Sequence, residues 1–101
     1  MKVIYQPEAE LELTEAAVHL AESSGRVELG ERLLEEAIVT ERLIAERLRA
    51  WSPMGSKKFR RSLLSRFPYQ IVYRVEGDTI RIYAFAHVKR RPGYWNKRLA
   101  R

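Results

Sequence analysis

His87 closes an apolar, strand-like run and leads directly into Lys89, Arg90 and Arg91. A neutral imidazole near pH 7 can take or give a proton, which is what cleavage of RNA by its own 2′-OH requires. Arg61 and Arg81 could then hold the charge that gathers on the phosphate in the transition state, through bidentate contacts. Alternation along 80–87 sets Arg81, Tyr83, Phe85 and His87 on one face, against Ile80, Ile82, Ala84 and Ala86 on the other. With the aliphatic face packed on helices, Arg81 and His87 would point together towards solvent or a partner. The plainer reading makes His87 a strand-end residue bonded to neighbouring backbone. His19 sits on an acidic helix, off its apolar stripe, and reads as surface.

The cations offer a second chemistry. Lys57, Lys58, Arg60, Arg61 and Arg66 surround one strand, and Lys89, Arg90 and Arg91 follow another. A sheet that joins these strands would gather Lys57, Lys58, Arg60, Arg61, Lys89, Arg90 and Arg91 into an anion-binding surface. Tyr69, Tyr73 and Tyr83 nearby would suit stacked bases. The plainer reading is a solvated face that keeps a small domain soluble. Metal ligation is not supported, because no pair of histidines stands at ligand spacing. Neither a Gly-rich phosphate loop nor a Ser-His-Asp set is visible, and no cofactor is expected.

The elements that must position these residues follow from period and punctuation. Val3, Ile4 and Tyr5 form a short apolar run that stops at Pro7. Pro7 with Glu8, Glu10 and Glu12 reads as a helix start, because Pro suits the first turn and acids complement the dipole there. Leu13, Ala16, Ala17, Leu20 and Ala21 make one helical face, and Ser23-Ser24-Gly25 breaks it. A longer helix follows, with Leu29, Leu33, Ala37, Ile44 and Leu48 as its stripe and Leu34 and Ile38 widening it. Ser52-Pro53-Met54-Gly55 ends that helix. The short link predicts an antiparallel helical hairpin.

Beyond Gly55 the period drops to two. Residues 59–64 read as a strand with a basic outer face, and the runs 69–76 and 80–87 flank a Glu76-Gly77-Asp78 turn as a β-hairpin. Phe67-Pro68-Tyr69 reads as a fixed turn that sets strand register. Pro92-Gly93 makes a turn after which Tyr94 and Trp95 fold back as a core plug. The expected class is α+β, an N-terminal strand and a helical hairpin packed on one face of an antiparallel sheet.

A chain of 101 residues with 46% apolar content has room for one domain and one core. Absent cysteine leaves no disulfides and fits a reducing cytoplasm. No apolar run suits a signal peptide or a membrane span. The net charge of +6 is divided: residues 1–50 carry 6 Lys and Arg against 11 Glu, and residues 51–101 carry 13 against 2. The basic half is where an anionic partner would dock.

Three stretches carry a resemblance: R-F-P-Y-Q-I-V-Y-R-V at 66–75, E-G-D-T-I-R-I-Y-A-F-A-H at 76–87, and R-R-P-G-Y-W at 90–95. Together with V-I-Y-Q-P-E-A-E-L-E-L at 3–13, they resemble the RelE/ParE superfamily of toxins from bacterial type II toxin–antitoxin systems. The likeness is nearest to the ParE, or plasmid stabilisation, branch. It implies a cognate antitoxin whose C-terminal segment lies along the groove between helices and sheet. ParE-like members poison DNA gyrase and block replication without an established catalytic set. RelE-like members cut mRNA on the ribosome, and there Arg61, Arg81 and His87 would be the phosphate-stabilising and acid–base groups. Some nuclease branches carry a tyrosine directly after the C-terminal histidine, where this chain has Val88, and no carboxylate stands out as a general base. The ParE-like reading therefore leads, the ribonuclease reading comes second, and a non-toxic interaction module is the third.

Overall fold

The computed structural model describes residues 1–50 and 59–100. Strand β1 (Lys2–Tyr5) ends where Pro7 opens helix α1 (Pro7–Ser24). Gln6 holds an extended backbone there, and its N–H donates to the Ile82 carbonyl rather than entering the helix. Glu8 and Glu10 occupy the first turn, where the exposed amide ends favour negative charge. Gly25 ends α1 in the left-handed region at φ 70°, a conformation that a side chain disfavours. Helix α2 (Val27–Ala50) begins two residues later, so the pair must fold back as an antiparallel hairpin. Gly30 sits where the helices touch: a Cβ there would lie 2.6 Å from the Ala17 carbonyl oxygen.

The sheet adds β2 (Arg60–Leu63), β3 (Tyr69–Glu76) and β4 (Thr79–His87), in the order β1-β4-β3-β2. β2, β3 and β4 are antiparallel neighbours, and β3 and β4 form the expected hairpin. β1 pairs with β4 in parallel, Val3 opposite Ile80 and Tyr5 opposite Ile82, which makes the sheet mixed rather than wholly antiparallel. This pairing puts Val3 and Tyr5 against the core and leaves Ile4 38% exposed. The helical hairpin lies on one face. Leu33, Ala37 and Ile44 of α2 are buried there with Ile71, Ile80, Ile82 and Phe85. Each leucine, isoleucine and phenylalanine there contributes roughly 1.5–3 kcal/mol by leaving water. Leu34 and Ile38, expected to widen the apolar stripe, are instead 40% and 50% exposed. Leu48, the Ser52–Gly55 stop and Met54 fall beyond the described side chains.

The opposite face of the sheet carries a smaller cluster of Val72, Ala84 and Trp95, with Phe59 and Tyr94 against it. Trp95 arrives through the turn at Gly93 and leads into a 3₁₀ helix at Asn96–Ala100. The expected plug is therefore present, but it fills the face away from the helices.

One irregularity governs the site. Val72 faces Ala84 and Tyr73 faces Ile82, so Tyr83 is an extra residue in β4. Such a bulge reverses the alternation beyond it. Ile80, Ile82 and Phe85 consequently all face the helices, while Ala84 faces the tail.

Candidate functional site

The bulge separates His87 from Arg81, which sequence alternation had placed on one face. Arg81 stands before it, opposite Arg74, and its Nε donates to Glu76 Oε1 at 2.9 Å. Arg61 is exposed and opposite Val72, so it shares the tail side of the sheet. His87 stands after the bulge, opposite Tyr69 and two residues from core Phe85, on the helix side. The shared face expected for Arg81, Tyr83, Phe85 and His87 is thus corrected: Phe85 and His87 point the other way.

His87 is half-buried, its ring edge-on to Tyr69 at 5.2 Å between centroids. The Lys89 backbone N–H donates to its Nδ1 at 3.1 Å. That bond leaves the proton of the neutral ring on Nε2. This matches the plainer sequence reading, in which neighbouring backbone satisfies the imidazole. Glu15, Ala16 and His19 of α1 line an open cleft with Tyr69, His87 and Arg90. His19 is exposed, as expected, yet it belongs to the same cleft as His87.

The basic strand divides as well. Arg60 is opposite Tyr73, whose ring joins the helix-side core, so neighbouring Arg60 and Arg61 emerge on different faces. The single basic outer face expected for this strand is corrected accordingly. Arg60 Nη2 is buried with no hydrogen-bond partner among the described residues. Lys57 and Lys58 lie outside those residues. Lys89, Arg90 and Arg91 are exposed in the turn after β4. Arg90 places its guanidinium 4.0 Å from the centre of the Tyr94 ring, a cation–π contact.

Two carboxylates organise what remains. Glu12 of α1 reaches past the end of β1, where that edge of β4 has no strand neighbour. Its Oε1 accepts from the Phe85 backbone N–H at 3.2 Å and from Arg98 Nη1 at 2.8 Å. Its Oε2 accepts from the Tyr94 hydroxyl at 2.6 Å and from Arg98 Nη2 at 3.2 Å. Arg98 also donates to the Tyr83 carbonyl at 2.8 Å. One carboxylate thereby ties helix, bulge and tail together. Burial, then the bond to Glu12, pushes the Tyr94 phenol well above its usual range.

Glu76 is the second. Its Oε2 accepts from the Tyr83 hydroxyl at 2.7 Å and lies 3.8 Å from Arg74 Nη1. Burial alone would raise its pKa. The hydrogen bonds from Arg81 and Tyr83 outweigh that and hold it below the ordinary carboxylate value. Sequence reading placed Glu76 at a turn with no role and gave Glu12 only a helix-start role. The partners of Glu12 lie up to 86 residues away, with no local signal to mark them. Glu76 instead meets Arg81 and Tyr83 five and seven residues on, across the hairpin turn.

Among the described residues no three His, Asp or Glu side chains are placed to hold a metal ion, and no helix is long and apolar enough to cross a membrane. No protein-family model and no curated protein matches the chain. Among solved structures, a chain of the chromosomal ParDE TA system from P. aeruginosa superposes with a TM-score of 0.66 at 20% identity. The match covers 86% of this chain and 95% of that one. This is a ParE-like fold. At such low identity the likeness establishes architecture, and it agrees with the mixed four-stranded sheet under a helical hairpin. Within the ParE-like fold, the features that set this site are the Tyr83 bulge, the Glu12 lock and the arginines around Glu76.

Proposed function

We propose that this chain is the toxin component of a type II toxin–antitoxin system, ParE-like, that inhibits DNA gyrase and so replication, and that a cognate antitoxin neutralises it in the cytoplasm. The observation that carries the reading is the fold match across 95% of a chain from a ParDE TA system. Exposed apolar side chains on the helical hairpin support a protein partner. Leu11 and Val18, two turns apart on α1, and Leu34 and Ile38, one turn apart on α2, are 40–57% exposed, so each helix keeps an apolar pair towards solvent. The separation of Arg61 and Arg81 from His87 favours the gyrase reading over the ribonuclease one, because acid–base catalysis needs its groups around one phosphate.

The purified protein, freed of antitoxin, is expected to inhibit gyrase supercoiling and to leave ribosome-bound mRNA intact. Cut mRNA with unimpaired supercoiling would overturn the proposal in favour of the nuclease. Expression of the chain alone is expected to slow growth, and unchanged growth would leave a non-toxic interaction module.

A further inference from the structure

Arg74 and Arg81 stand directly opposite one another on the tail side of β3–β4. Side chains in such a pair are close neighbours, and like charges there repel. Among the described residues only Glu76 offsets them, and its oxygens are already taken by Arg81 Nε and the Tyr83 hydroxyl. Arg74 Nη1 is left 3.8 Å away, and its Nε has no hydrogen-bond partner among the described residues. Two guanidiniums thus share one carboxylate, and the group carries a surplus positive charge and unspent donors. Arg61, opposite Val72 and so one step along the same face, adds to the surplus. The Arg74 and Arg81 side chains are 15% and 31% exposed, so both are framed by the protein and keep part of their surface to solvent.

We propose that Arg74 and Arg81, with Arg61 beside them, form a site for a carboxylate side chain of an acidic partner protein. All three cations are arginines, whose planar fork matches a carboxylate through paired hydrogen bonds. Glu76 already accepts one arginine hydrogen bond on this face, from Arg81 Nε. Single-stranded nucleic acid would need open aromatic faces for its bases. Tyr83 and Trp95 are 3% and 5% exposed, and Phe59 packs edge-on against both at 5.1 and 6.4 Å. The remaining ring described in this cluster, Tyr94, is covered by the Arg90 guanidinium. The inference does not rest on the gyrase reading, and a failed supercoiling assay leaves it standing.

The test follows the side-chain Nε–H resonances of arginine in the isotopically labelled full-length protein. The probes are an acetylated peptide of alternating Glu and Leu, inorganic phosphate, and a thymidine oligonucleotide. The peptide is expected to shift the Arg74 and Arg81 signals saturably. Arg74→Gln is expected to weaken it about tenfold, and Arg74→Lys, which keeps charge but loses the fork, about fivefold. Arg26→Gln, in the exposed link between the two helices, is expected to change affinity less than about twofold. Thermal melts establish that each variant is folded, and Arg74→Lys decides the matter if Arg74→Gln does not fold. Peptide binding unaffected by the Arg74 variants, no saturable shift, or tighter binding of phosphate or the oligonucleotide would each overturn the site.

Discussion

Glu12 and Arg98 are 2.8 Å apart although 86 positions separate them in the chain. Their side chains are only 15% and 11% exposed, so this pair is a partly buried lock rather than a surface contact. Removing one partner from such a pair leaves the other charge buried and unpaired. Glu12→Ala is expected to cost about 3 kcal/mol, because the Tyr94 hydroxyl and the Phe85 N–H lose an acceptor too. For a domain of this size that lowers Tm by more than about 10 °C. A double-mutant cycle with Arg98→Ala is expected to show strong coupling; additive losses in calorimetry would show that the lock does not act as a unit.

Gly30 is required by close helix packing rather than by backbone conformation. Alanine would improve helix propensity by about 1 kcal/mol, but its Cβ would meet the Ala17 carbonyl at 2.6 Å. Backbone cannot swing aside as a side chain can, so Gly30→Ala is expected to destabilise by about 1–3 kcal/mol in denaturant unfolding. A variant as stable as the parent would show that the helices are not in contact there.

Alkaline pH is expected to loosen three anchors together. Burial, and then bonds to Glu41, Glu76 and Glu12, raise the pKa values of Tyr5, Tyr83 and Tyr94 respectively. The folded state therefore holds these phenol protons more tightly than the unfolded chain. Their contribution is complete below the unfolded value of about 10 and is lost as pH rises through the folded values. Tyrosinate absorbance from these residues should appear together with loss of tertiary signal. Tyr94→Phe, which has no proton to lose there, should shallow the decline of Tm above about pH 10.

Acid acts through Glu76 in the opposite sense. Its folded pKa lies below the unfolded one, so its contribution is present above about 4.3 and disappears as pH falls through the folded value. The stability gap between the parent and Glu76→Gln is expected to be widest near neutrality and to close in acid. A gap independent of pH, in melts across the carboxylate range, would remove ionisation as the cause.

Local chemistry is written in the chain where a few neighbouring residues suffice. Pro7 opens α1, Gly25 closes it in the left-handed region, and Gly77-Asp78 turns the β3–β4 hairpin, each as the residue types dictate. The concentration of positive charge after residue 50 is likewise plain from the sequence. Period-two reading correctly found β3 and β4, since alternation needs only the strand itself. Which way the second half of β4 faces was beyond it. Tyr83 is as good a strand residue as its neighbours, and nothing in Ile82-Tyr83-Ala84 announces an extra position. Only pairing with β3, where Val72 and Tyr73 skip across it, reverses the side chains and sends His87 to the helices. The parallel seat of β1 beside β4, the exposure of Ile38 and the lock made by Glu12 have the same origin. Each depends on what a distant segment brings to that place. Sequence by itself determined the elements and the division of charge, because these follow from neighbours along the chain; tertiary pairing alone decided which charged groups meet.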